Sequence, residues 1–380
     1  MKKKRILWSI ALILVCFLLI VVFIRPKEKV KDDILIGAIL PLTGTAAEFG
    51  IGNKNGFDLA VNEVNQYGGI NGRKVKIIYE DSKNEPKTAI SAFQRMKVTT
   101  KLDALFTCMS SVSLALKPLV KTDPILTFSV AAAPKLTDSV DFIYRLLPTT
   151  AIQAEILSQL MVEQLKKSTK SIQSIELENE RIQIVLFYLN DDFGLSFASS
   201  FKKKVIDNKD VSLNISSFDG TQNDFKNDIV KNISINTTSG VAVGGYGSSL
   251  GILIKQLREF GYKGPIYGTP DMGYPNILDL VKENLGEAYI VDFDIDKNNP
   301  NVKKFIEEYK TVHSQDPSMD AYIGYDGLHI FLKAFELLSY DKSESLIEAI
   351  KTIDSINGVT GNIKILESGD IIFPLTLKKL

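Results

Sequence analysis

The sequence predicts an α/β protein of two lobes, each built on a parallel sheet, behind an N-terminal transmembrane helix. Three observations carry this. The segment 34–81 reads as strand, loop, helix, turn and strand, the pattern of a right-handed crossover in a parallel sheet. Short apolar runs and helical patterns then alternate on both sides of Thr149. The 380 residues suffice for two domains, and 45% hydrophobic with 24% charged suits a chain with a real core.

Taken in order, 34–40 is an apolar run fit for a buried strand, and 41–56 is rich in Gly, Thr and Ala without apolar period, so it predicts a loop. Phe57, Ala60, Val61 and Val64 fall at helical spacing, and Gly68, Gly69 and Gly72 end that helix in a turn. A strand over 74–81 completes the unit. Helices follow over 88–99 and 112–120, with strands over 104–108, 125–130 and 142–147. Beyond Thr149 the pattern predicts a helix to about 165, a polar surface excursion over 166–181, a strand over 182–189, a loop over 190–195 and a helix to 207. Strands at 240–244 and 266–267 enclose a helix over 249–260. The run 289–295 alternates, with Asp292, Asp294 and Asp296 on one solvated face. Helices over 300–310, 321–338 and 342–351 lead to a closing hairpin at 358–361.

Forty-five basic residues balance forty-five acidic ones, so charge gives no reason to expect nucleic acid. The first five residues are MKKKR, and 6–24 is nineteen residues without a charge, as long as a ~30 Å hydrocarbon core at ~1.5 Å rise per residue. The basic flank keeps Met1 in the cytoplasm and sends the remainder outward. No small-residue cleavage site ends the run, and Val15 before Cys16 does not make a lipoprotein signal, so an uncleaved anchor is expected, with 25–33 as a charged tether. Cys16 lies in that run and Cys108 in the body, so no disulfide between them is expected.

Enzyme and metal signals are absent. Gly50-x-Gly52 and Gly245-x-Gly247 lack the third glycine of a dinucleotide fingerprint at the right spacing. His313 and His329 lack metal-ligand spacing, and Lys297 stands where a calcium loop starting at Asp292 needs Gly. Asn214, Asn232 and Asn236 lie in N-x-[ST] triplets of no assigned role. No cofactor is expected.

The segments IGAILPLTG (36–44), AVNEVNQYGGINGRKV (60–75) and EDSKNEP (80–86), with Phe49-Gly50 between the first two, resemble the opening of the branched-chain amino-acid-binding proteins, the type I solute-binding proteins of ABC importers. The similarity runs from 34 to about 370. It implies two Rossmann-like lobes joined by a hinge crossed three times: 34–150 plus 296–357, and 151–295 plus 358–380.

Ligands of parallel sheets sit beyond the carboxyl ends of the strands, and four groups there stand out. Ser110 and Ser111, with Met109, open a helix whose unpaired N–H groups and dipole suit a carboxylate. On residues alone a plain N-cap is the competing reading; the resemblance implies that Ser110 holds the ligand's α-carboxylate. Val130, Ala131 and Ala132 match a segment that offers backbone groups and a threonine hydroxyl, and Ala132 stands at the threonine position. Asp271 matches a glutamate that pairs with the ligand's ammonium; a turn-capping Asp next to Pro270 is the alternative. Phe49, Phe193 and Tyr246 match aromatic positions around the ligand, mostly tyrosines, so the pocket is expected to be more apolar than usual. The implied function is a membrane-anchored binding protein for a small amino acid or related carboxylate or amide, with ABC permease subunits as partners. A sensor domain signalling to a membrane kinase or chemoreceptor is the alternative.

Overall fold

The computed structural model describes residues 32–139, 142–172, 181–281, 284–340 and 345–380. The apolar run 6–24 and the tether up to 31 lie outside these residues, as does 173–180 of the polar stretch. Among the described residues no helix is long and apolar enough to cross a membrane.

β1 (Ile34–Leu40) lies between β2 (Val75–Asp81) and β3 (Ala104–Cys108), and β4 (Thr127–Val130) and β5 (Ile143–Arg145) extend the sheet in the order β2-β1-β3-β4-β5, all parallel. A central parallel strand is covered on both faces, and six of the seven residues of β1 are buried. Helices α1 (Ala47–Gln66), α2 (Pro86–Thr99) and α3 (Ser110–Thr122) connect these strands. Phe57 of α1 meets Phe106 at 4.7 Å between centroids, and Phe106 stacks on Phe128 at 5.0 Å. Burying each such ring contributes about 1.5–3 kcal/mol.

α4 (Thr150–Ile172) opens the second half. Its sheet runs β14-β10-β9-β8-β6-β7, built from β6 (Ile182–Leu189), β7 (Val211–Phe218), β8 (Thr238–Gly244), β9 (Ile266–Gly268), β10 (Ala288–Phe293) and β14 (Leu375–Lys379); only β14 is antiparallel to its neighbour. α5 (Asp192–Ile206), α6 (Lys226–Asn232), α7 (Ser248–Glu259) and α8 (Pro275–Val281) join these strands. α9 (Pro300–His313), α10 (Met319–Tyr340) and α11 (Leu346–Lys351) return to the first half. A small antiparallel sheet of β11 (Ser355–Gly358), β12 (Gly361–Ile365) and β13 (Ile371–Ile372) precedes β14.

Several expectations change. The stretch 41–56 is not all loop: α1 begins at Ala47, because its glycines are there for packing. A Cβ on Gly56 would lie 2.2 Å from the Ala321 carbonyl oxygen, and one on Gly324 2.6 Å from that of Asn53, so α1 and α10 touch backbone to backbone. The polar excursion is helical as far as Ile172. β7 escapes sequence reading because most of its residues are only half-buried, and α6 and α8, seven residues each, are too short to show a period. Asp292 is not on a solvated face. It is 5% exposed and takes Lys378 Nζ of the antiparallel neighbour at 3.2 Å, while Asp294 and Asp296 follow the strand's end at Phe293. The return to the second sheet falls after Phe373 rather than at 358, since Ile363, Ile365, Ile371 and Phe373 share a buried cluster with β1 and β3.

The backbone contact yields a prediction. Gly56→Ala places a methyl on the Ala321 carbonyl and is expected to destabilise by about 1–3 kcal/mol, the usual effect of overpacking. Chemical denaturation measures it; the small gain that Gly→Ala gives in an open helix interior would show that the helices do not touch there.

Candidate functional site

The carboxyl ends of both parallel sheets open on one cavity of about 280 Å³. All ten residues singled out from the sequence line it: Phe49, Met109, Ser110, Ser111, Val130, Ala131, Ala132, Phe193, Tyr246 and Asp271. Asn84, Cys108, Leu147, Asp191, Asp192 and Asp320 complete the wall.

One side is made by the ends of β3 and β4, paired in register at Cys108 and Val130. The Met109 amide donates to the Val130 carbonyl at 3.0 Å and draws the two ends together. Met109 is held at φ 75°, ψ 139°, a conformation that side-chain-bearing residues rarely adopt. It occupies the cap position of α3, and no side chain bonds there, so neither serine is the N-cap that residue types alone allowed. Ser110 and Ser111 are instead the first helical residues. The first N–H groups of a helix have no partner within it, and here they lie beside two hydroxyls at the cavity wall. Below them, Thr107 Oγ1 lies 2.9 Å from Ser113 Oγ and 2.5 Å from Ser129 Oγ, a buried hydroxyl chain that ties β3, β4 and α3 together. Cys108 is a buried free thiol, its pKa pushed up by burial and by the nearby Asp320 carboxylate.

The other side is acidic. Asp271 lies in a short 3₁₀ turn, Pro270–Gly273, after β9. Burial pushes its pKa up to about 7, helped by the Glu48 and Asp191 carboxylates and opposed by the Thr269 hydroxyl. Asp320, in the first turn of α10, is 4% exposed and is also pushed up to about 7 by burial, against donors from Tyr274 and Asn53 (3.1 Å to Asn53 Nδ2). Asp191 caps α5, accepting the Gly194 amide at 2.8 Å and the Tyr246 hydroxyl at 2.5 Å, and burial raises its pKa as well. Among the described residues no Lys, Arg or His lines the cavity.

The rings bridge the two sides. Phe49 packs edge-on against Tyr246 at 6.0 Å and Tyr274 at 5.2 Å, and Phe193 against Tyr246 at 5.7 Å. Contrary to the loop placement read from the sequence, Phe49 and Phe193 stand in the first turns of α1 and α5; Tyr246 is in the loop before α7. Asp191 was legible as a cap signal in the run Asn190-Asp191-Asp192-Phe193-Gly194. Asp320 carried no signal of a cavity residue, because an acid just before the helix read over 321–338 looks like a cap, and only the packing of α10 on α1 brings it to the cavity.

The family model described as periplasmic binding protein matches residues 33–375. A leucine-, isoleucine-, valine-, threonine- and alanine-binding protein of Pseudomonas aeruginosa is 23% identical over 347 residues, covering 90% of this chain and 87% of its own. Among solved structures, a leucine-binding protein of Thermotoga maritima matches with a TM-score of 0.80 at 22% identity, over 91% of this chain and 95% of that chain. The branched-chain amino-acid transporter substrate-binding protein of Streptococcus pneumoniae, solved with isoleucine, matches at 0.78 and 21%, over 92% and 95%. At that identity the structural likeness concerns the fold, while the family match spans both sheets and every strand end around the cavity. The chain belongs to the periplasmic binding protein family, and it is a binding protein rather than an enzyme.

Proposed function

We propose that the chain is the solute-binding component of an ABC importer and holds a small α-amino acid, or a related carboxylate or amide, in this cavity. The observation that carries the reading is that a helix start with two serines and a set of carboxylates, Asp320 buried and Asp191 and Asp271 half-buried, face the same 280 Å³ space. Ser110, with Ser111 and the amides after Met109, holds the carboxylate. Asp271 holds the ammonium. Phe49, Phe193 and Tyr246 cover the apolar part, and Val130 and Ala131 offer backbone groups. Ala132 offers no hydroxyl, so one polar contact to the head group is missing there. The ligands named for the relatives, branched-chain and small amino acids, support this chemistry.

The halves close on the ligand by a hinge motion, and a permease reads the closed form, which only the ligand stabilises. The body is extracytoplasmic. The run 6–24 anchors it to the membrane and raises its concentration near the permease. The same anchor suits a sensor; chemical cross-linking in membranes separates the two, by recovering permease subunits or a kinase.

Calorimetry with a panel of amino acids, amides and short carboxylates tests the reading, and absence of heat from all of them overturns it. Ser110→Ala is expected to weaken every carboxylate ligand by about tenfold or more, since a hydrogen bond to a charged group contributes about 1.5–3 kcal/mol. Asp271→Asn is expected to weaken amine-bearing ligands far more than plain carboxylates, and equal losses remove its role.

The carboxyl groups of Asp271 and Asp320 titrate near 7 in the folded chain against about 3.9 unfolded. Between those values the folded state binds more protons, so stability falls as pH rises from about 4 to about 7. Melting temperature without ligand is therefore expected to drop between pH 5 and pH 8. An amine ligand, which favours the ionised forms, is expected to bind tighter at pH 8 than at pH 5.

A further inference from the structure

Beside the main cavity lies a smaller one of about 70 Å³, well above the ~10–15 Å³ that a single water needs. The two share Phe49, Leu147, Phe193, Asp271 and Asp320 in their walls, so a chain leaving the main cavity passes both carboxylates as it enters the annex. Most of the annex is apolar, with Pro148, Val291, Phe293, Ile323 and Leu375 around it. Gln153 adds an acceptor. It is 5% exposed, donates its amide N–H to the Pro148 carbonyl at 2.9 Å, and leaves Oε1 buried without a partner. Asp320 accepts from Asn53 and Tyr274, yet an ionised carboxylate has about four acceptor sites. Among the described residues no Lys, Arg or His lines the annex either.

Buried acceptors without a donor are unfavourable, and buried carboxylates without a cation more so. An aliphatic side chain in the annex leaves Gln153 Oε1 unpaired and two carboxylates facing one ammonium. A neutral amide satisfies Gln153 but leaves the second carboxylate uncompensated. We propose that the annex is a side-chain subsite and that the ligand is a diamino acid, with its α-ammonium on Asp271 and a second cationic nitrogen reaching Asp320 and Gln153 Oε1. This rests on the amino-acid reading of the main cavity and names the ligand class within it. The apolar wall accommodates the methylene stem, and burial pushes both carboxyls up, a shift that an incoming cation reverses.

Calorimetry on the full-length protein with matched pairs tests this: L-ornithine against L-norleucine, and L-2,4-diaminobutyrate against L-norvaline, each pair alike in length with nitrogen replaced by carbon. The cationic member of at least one pair is expected to bind tenfold tighter or more. Gln153→Leu and Asp320→Asn are each expected to reduce that ratio severalfold; unchanged ratios in both variants overturn the subsite. The wild-type ratio stands whether or not a variant folds. Equal binding within both pairs, or tighter aliphatic members, overturns the proposal, the annex then holding an apolar group or water only, while the amino-acid reading survives. Tighter binding of L-glutamine than of either diamino acid also overturns it, in favour of a neutral donor. Failure of every probe, glycine and alanine included, overturns both readings.

Discussion

Two long helices meet backbone to backbone, and the cavity depends on that contact. α1 and α10 come this close because Gly56 and Gly324 carry no side chain at the crossing. The approach places Asn53 within 3.1 Å of Asp320 and sets Tyr325 to donate to Glu63 at 2.5 Å. The same helix α1 begins at the cavity, so its register fixes Phe49 there. Its neighbour Glu48 reaches Asn276 of the second half at 3.1 Å, and Tyr274 donates to Asp320 across the same boundary. The helix pair thus sets both the carboxylate at the cavity floor and the contacts between the halves.

The connection back to the second sheet is held by a buried acid of a different kind. Asp326, further along α10, accepts the Val359 and Thr360 amides at 2.8 Å each and the Thr360 hydroxyl at 2.6 Å. Its acceptor sites are filled by the turn between β11 and β12, so it fastens the small sheet to the helix and has no surface toward the ligand space. Asp271, Asp191 and Asp320 differ because each keeps a side toward the cavity. Burial raises all four, but only the three at the cavity are placed for an incoming cation to reverse the shift. Asp326 therefore differs from the three cavity carboxylates in remaining access.

The chemistry of the two walls is likewise uneven. The donor wall uses groups that any strand-to-helix junction of a parallel sheet presents, sharpened by the strained backbone at Met109 and by serines at the first helical positions. The acid wall is assembled from three separate segments that have no sequence proximity. On the proposed function, a ligand touching both walls draws the two halves together and so converts occupancy into a shape that a second protein can read.

The sequence by itself determined the α/β class and most strand positions, because strand ends are local signals, while the ten residues that line one cavity were picked out largely by the family resemblance. It did not determine where α1 begins, since glycines that serve helix packing look like loop glycines until the partner helix is in place. β7 stayed hidden because its half-buried residues give no alternation. Asp320, Gln153 and the annex between them were decided only by the tertiary structure: each is an ordinary helical residue along the chain, and its chemistry follows from what is packed against it and from the donors it lacks.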